Sequence, residues 1–130
     1  MIALAPGILP ALVALAAKEA PRECCGLLLG QGERIEGVLA APNVHPDPCT
    51  RFEIDPHALI AAHRDARQGG PQIVGYFHSH PSGAAQPSAT DAAMASGDGR
   101  VWAIVAGDTV TFWKDAPGGF HPLPYAPSGA

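Results

Sequence analysis

Apolar residues first recur at helical spacing: Leu9, Leu12, Val13 and Ala16 fall three or four apart, which predicts an amphipathic helix packed on a sheet. The pattern then changes. Cys24 to Leu29 is a continuous apolar run that stops at Gly30-Gln31-Gly32, as a buried strand and its turn would, and Arg34 to Ala41 reads as the returning strand. Three prolines in the nine residues PNVHPDPCT exclude regular structure there and predict an exposed loop, followed by a short strand over Arg51 to Asp55. Asp55-Pro56 supplies a helix N-cap and a proline suited to the first helical position. A helix is therefore expected from Pro56 to Gln68, where Gly69-Gly70-Pro71 stops it. Ile73 to His78 is β-rich. A further helix is predicted from Ser88 to around Gly97, and Val101 to Ala106 pairs with Thr109 to Lys114 across Gly107-Asp108.

Helix, strands, helix, strand, helix, strands is the order of an α/β sandwich, a mixed central β-sheet with helices on its faces. The 130 residues, 47% hydrophobic, suit one domain with one functional surface. No repeat or linker marks a boundary, and only the Pro- and Gly-rich end, roughly 115–130, is expected to be a flexible tail. A net charge of -4 without any basic run argues against nucleic acid and anionic membrane as direct partners. The apolar N-terminal stretch has no basic start and is broken by Pro6, Gly7 and Pro10, which fits neither a leader nor a membrane span, so a cytoplasmic protein is expected. An odd number of cysteines, two of them adjacent, makes a poor disulfide framework and suits a reducing compartment. Cys24 and Cys25 read as small buried hydrophobes.

The chemistry gathers between residues 78 and 91. His78 and His80 point to the same side if the strand continues that far, Pro81 ends the pairing, and Ser88 and Asp91 share one side of the first turn of a helix. Two imidazoles and a carboxylate are a usual catalytic zinc set, because three protein ligands leave a fourth position for water, whose pKa the metal lowers to roughly 7. A base is still required, and Glu23, just before the first apolar strand, is a candidate. For Ser88 and Asp91 a second reading stands beside this one, since S-x-x-D at a helix start is also a capping box that needs no metal. His45, His57, His63 and His121 read as surface or hydrogen-bonded residues.

The string HSHPSGAAQPSATD, with Glu23 upstream, resembles the H-x-H-P-x6-S-x2-D signature of the JAMM (JAB1/MPN/Mov34) metalloproteases at every fixed position. PRECCGLLLG, the PNV loop, RFEIDP and GYFHSHP extend the likeness to the short prokaryotic members over roughly residues 1 to 110. The resemblance implies a single-domain MPN (cytidine-deaminase-like) fold. It implies Zn2+ held by His78, His80 and Asp91, with Glu23 as general base and Ser88 donating to the oxyanion. The implied reaction is hydrolysis of the amide bond after the C-terminal Gly-Gly of a ubiquitin-like or ThiS/MoaD-like sulfur-carrier protein. Such a tail suits a narrow groove, with Pro42 to Thr50 and the segment after Pro81 as its expected walls. The chain has none of the long insertions with which eukaryotic relatives grip a second ubiquitin. The competing expectation is a non-catalytic MPN-type scaffold. A nucleic-acid-associated relative with the same H-x-H pattern would call for a basic face or a DNA-binding helical domain.

Overall fold

A computed structural model describes residues 1–127. Eight strands form one mixed sheet. They are β1 (Ile2–Leu4), β2 (Cys25–Gln31), β3 (Arg34–Ala41), β4 (Gln72–Ser79), β5 (Val101–Ala106), β6 (Thr109–Ala116), β7 (Gly119–Leu123) and β8 (Tyr125–Pro127). Their order across the sheet is β7-β6-β5-β4-β2-β3-β1-β8. β4 lies between β2, which runs antiparallel to it, and β5, which runs parallel. A parallel neighbour needs a crossover, and residues 80–100 supply it.

Alternation along the strands divides the interior. Leu28, Phe77, Ala103 and Val105 pack beneath α1 (Ile8–Glu19), whose Ile8, Leu12 and Ala16 face them. On the other face Cys25, Phe52 and Trp102 form a second, aromatic cluster. α2 (Pro56–Arg67) starts at Asp55, whose side chain accepts from the His57 N–H, and lies against β4. α3 (Ala89–Met94) starts at Ser88 within the crossover.

Three expectations change. The segment Arg51 to Asp55 is not a strand: Ile54 makes an isolated bridge to Asn43, and the Asn43 side chain takes the Arg51 carbonyl and the Glu53 N–H that a ladder would use. α3 stops at Met94 rather than near Gly97, because the main-chain N–H groups of Ser96 and Gly97 donate to the buried Asp115 carboxylate instead of to helix carbonyls. The segment expected as a tail forms β7 and β8. Pro117-Gly118 turns the chain, with Gly118 at φ 90°, and Pro122 is tolerated because β7 is an edge. Residues 128–130 of that expected tail lie outside the described residues. β1, which no pattern announced, pairs with β3 and β8. Among the described residues no helix is long and apolar enough to cross a membrane.

Gly75 lets β4 approach β5 closely, since a Cβ there would strike the Val101 backbone. Gly75→Ala should therefore cost about 3 kcal/mol or more, by forced separation of two central strands, measured as a lowered urea midpoint.

Candidate metal centre

The register of the sheet builds the centre. Cys25 pairs with His78 across antiparallel β2 and β4, so extending the pairing by two residues sets Glu23 opposite His80. Ser79 holds that extension. Its N–H donates to the Cys24 carbonyl (3.1 Å), and its Oγ accepts from the Cys24 N–H (2.8 Å). Ser79 points away from its two histidine neighbours, so the one strand end fixes the β2 backbone on one side and presents imidazoles on the other.

Asp91 arrives from the crossover. The Ser88 Oγ accepts from the Asp91 N–H (3.0 Å) while the Ser88 N–H donates to Asp91 Oδ2 (2.9 Å), which is a complete capping box. The same carboxylate meets both histidines: His78 Nε2 lies 3.0 Å from Oδ1 and His80 Nε2 lies 3.1 Å from Oδ2. From the sequence, capping and metal ligation are only partly compatible roles for Asp91. The structure has the cap and the convergence at once, and the cap fixes the carboxylate's direction.

The two Nε2 atoms lie 3.1 Å apart. A tetrahedral ion bound at about 2.0–2.2 Å would set its ligand atoms roughly 3.3–3.6 Å apart, so a small opening of the three side chains admits one. Proton bookkeeping gives a stronger reason for a cation. His80 Nδ1 sits 2.7 Å from the Ala84 carbonyl, which can only accept, so Nδ1 carries a proton. A neutral His80 then turns a lone pair, not a proton, toward the Asp91 carboxylate. That arrangement is repulsive unless a positive charge fills the gap, either a second proton on His80 or a metal ion. The donor set fits a metal ion on this ground.

Charges shift accordingly. His80 is raised above the ordinary imidazole value, chiefly by its contact with Asp91. His78, 0% exposed, is lowered by burial. Burial alone would raise Asp91, but the hydrogen bonds from His78 and His80 prevail and hold it well below the usual carboxylate range. Glu23 is 6% exposed, and burial pushes its carboxyl up to about 7, with His80 opposing the rise and Asp91 adding to it. A carboxyl poised near neutral pH can both take and return a proton.

All five residues expected at the site meet here. His78, His80 and Asp91 form the cluster, and Glu23, His80 and Ser88 line one cleft of about 420 Å³. Of the expected Pro42 to Thr50 wall, Cys49 and Thr50 alone line the cleft, together with Pro81 to Ala84. The other four histidines do not join the cluster. Cys24 and Cys25 are buried, as expected, and Cys49 is exposed. Two contributors escaped the sequence reading, Ser79 and Phe52. The Phe52 ring stacks on the His78 imidazole with centroids 4.4 Å apart and planes 17° from parallel, and Trp102 meets it edge-on. His78 Nδ1 has no hydrogen-bond partner among the described residues, so aromatic packing orients this ring where a carbonyl or carboxylate usually would.

This is the sheet and strand-end centre of a JAB-type domain, and comparison with known proteins agrees. The family model for prokaryotic homologs of the JAB domain matches residues 6–116, and the chain belongs to that family. A Thermus thermophilus protein described as a probable TtuB-protein conjugate cleaving protease is 43% identical over 57% of this chain and 49% of its own length. A Haloferax volcanii desampylase is 36% identical over 72% of this chain and 68% of its own. The matches thus span about half and about two thirds of these relatives. The crystal structure of a JAB1/MPN domain protein from Archaeoglobus fulgidus superposes with a TM-score of 0.64 over 96% of this chain and 97% of its own, at 19% identity. The expected MPN fold is the one observed.

The raised Glu23 carboxyl has a measurable cost in the metal-free chain. Its folded pKa lies above the ordinary 4.5, so the folded state is favoured below that value and loses stability as pH rises toward 7. The loss is about 3 kcal/mol when complete. Glu23→Gln escapes it. The variant should unfold at a higher temperature than wild type at pH 8, with the gap closing by pH 4, as followed by circular dichroism without metal.

Proposed function

We propose that the chain is a zinc-dependent (iso)peptidase that hydrolyses the amide bond after the C-terminal Gly-Gly of a ubiquitin-like or ThiS/MoaD-like sulfur-carrier protein. The observation that supports it best is the convergence of His78, His80 and Asp91 next to the buried Glu23 carboxyl, with Glu23, His80 and Ser88 opening onto one cleft. The relatives described as a desampylase and a conjugate-cleaving protease support the substrate class. Gly83, Ala84, Ser82 and Thr50 in the cleft wall leave room for an extended backbone and offer little to a bulky side chain. Three free thiols fit work in the cytoplasm.

Held by His78, His80 and Asp91, zinc would supply Lewis acidity that makes water a nucleophile near neutral pH. The remaining roles fall to the chain. Glu23 accepts the proton of the attacking water as oxygen adds to the scissile carbonyl, then delivers it to the amine as the C–N bond breaks. The Ser88 Oγ accepts from the Asp91 N–H, and its own O–H is left to donate to the oxyanion. Asp91 would stay ionised as a ligand, and the Ser88 N–H that donates to its Oδ2 favours that form.

Metal per chain by mass spectrometry and cleavage of a carrier fusion ending in Gly-Gly test the reading together. Wild type should bind one zinc and cleave, and His78→Ala should lose the metal. Glu23→Gln should keep zinc and lose about 10²–10⁴-fold in kcat, while Ser88→Ala should keep zinc and lose about 10²–10³-fold. Folded wild type that takes up no metal, or takes up iron in preference, would overturn the zinc peptidase and leave a scaffold or another metalloenzyme.

The cleft wall can be tested by thiol chemistry. In native protein a maleimide should label Cys49 alone and block cleavage without releasing metal. Cys24 and Cys25 should not react, because burial raises both thiols, Cys25 to about 12.

A further inference from the structure

Asn43 lies in the proline-rich loop after β3, outside the cleft, and its side chain makes five contacts with main-chain groups. Nδ2 donates to the carbonyls of Glu23 (3.0 Å) and Arg51 (3.0 Å), with a longer third contact to the Pro48 carbonyl (3.4 Å). Oδ1 accepts from the N–H groups of His45 (3.1 Å) and Glu53 (3.1 Å). The partners assign the amide's orientation, since every group facing Nδ2 is a carbonyl and both facing Oδ1 are N–H donors.

Three of these partners bear on the centre. Glu23 carries the buried carboxyl, and Arg51 and Glu53 flank Phe52, whose ring stacks on His78. The loop also holds Glu23 from its other side, where the Glu23 N–H donates to the Pro48 carbonyl (2.7 Å). Phe52 sits in no strand, and among the described residues its neighbours are held otherwise only by single main-chain bonds to the same loop, from the Arg51 N–H to the Asp47 carbonyl (3.0 Å) and from the Val44 N–H to the Glu53 carbonyl (3.0 Å). One side-chain amide therefore joins the backbone under the carboxyl to the backbone under the ring that orients a metal-ligand imidazole.

We propose that Asn43 is a positioning residue that sets the Glu23 carboxyl and the Phe52–His78 stack relative to each other. It touches neither substrate nor metal. Its effect on rate rests on the peptidase reading above, whereas its effect on the stack does not. A displacement near 1 Å at a reacting group costs about 10²-fold in rate, and losing this amide removes the side chain that ties the two segments to each other, leaving each held only by its own main-chain bonds to the loop.

Asn43→Asp keeps the shape and the Oδ1 bonds but turns an oxygen toward the carbonyls of Glu23 and Arg51. Asn43→Ser removes the amide without adding charge and serves if the first variant does not fold. His45→Ala is the control, because His45 is not among the residues lining the cleft, and the change removes the Asp47 N–H to His45 Nδ1 bond (2.9 Å) in the same loop without touching Glu23 or Phe52. With one metal per chain confirmed, the Asn43 variant should lose about 10–100-fold in kcat with KM little changed, and His45→Ala should match wild type. In the metal-free proteins, nuclear magnetic resonance should show the His78 ring protons shifted upfield by Phe52 in wild type and returned toward ordinary imidazole positions in the Asn43 variant. If wild type cleaves the fusion, kcat decides: an unchanged rate, or an equal loss in His45→Ala, overturns the proposal. If wild type is inactive, the peptidase reading falls and the ring shifts decide, unmoved shifts overturning the role of Asn43.

Discussion

The pairing of β2 with β4 is the constraint on which the rest of the centre depends. Side chains alternate across a strand, so a slip of one residue would turn His78 and His80 under α1 and expose Phe77 on the opposite face. Apolar packing prevents this. Phe77 and Leu28 are fully buried in the cluster beneath α1, and their burial penalises any other register. The polar chemistry on one face is thus held in place by hydrophobic energy on the other. Ser79 finishes the job locally, carrying the pairing past the end of the regular strand to the level of Glu23.

The centre concentrates groups whose charges conflict. A neutral His80 turns a lone pair to the Asp91 carboxylate, and the Glu23 carboxyl is buried at a cost that His80 offsets only in part. Each arrangement costs stability when the chain is alone, and each is what a cation between the ligands would relieve. This is the usual balance at a functional site, where local strain persists because the surrounding structure over-determines it. Here the surroundings that do so are specific: the capping box fixes Asp91, the Ala84 carbonyl fixes His80, and Phe52 fixes His78.

Much of this was legible in the sequence because the signals were local. Asp55-Pro56 marked the start of α2, the apolar runs marked β2 to β6, and the H-x-H-P run with its distant S-x-x-D announced the cluster. What escaped depends on partners far along the chain. β1 and β8 are three residues each and exist through pairing. The early end of α3 is dictated by Asp115, nearly twenty residues later. Ser79 reads as the spacer of a motif, and only its burial against Cys24 shows that the spacer has work of its own. The segment around Phe52 has the composition of a strand. Its ladder groups are taken by a side chain, which no periodicity reveals.

The capping box at Ser88 has a consequence for reading related sequences. Because the pair satisfies helix-end hydrogen bonds without any ion, it would be retained for folding in a descendant that had lost its histidines. S-x-x-D at this position is therefore a poor marker of surviving catalysis. The histidine pair is the better one: His78 occupies a slot between two aromatic rings that an apolar side chain would fill at least as well, so selection for packing alone would not preserve it.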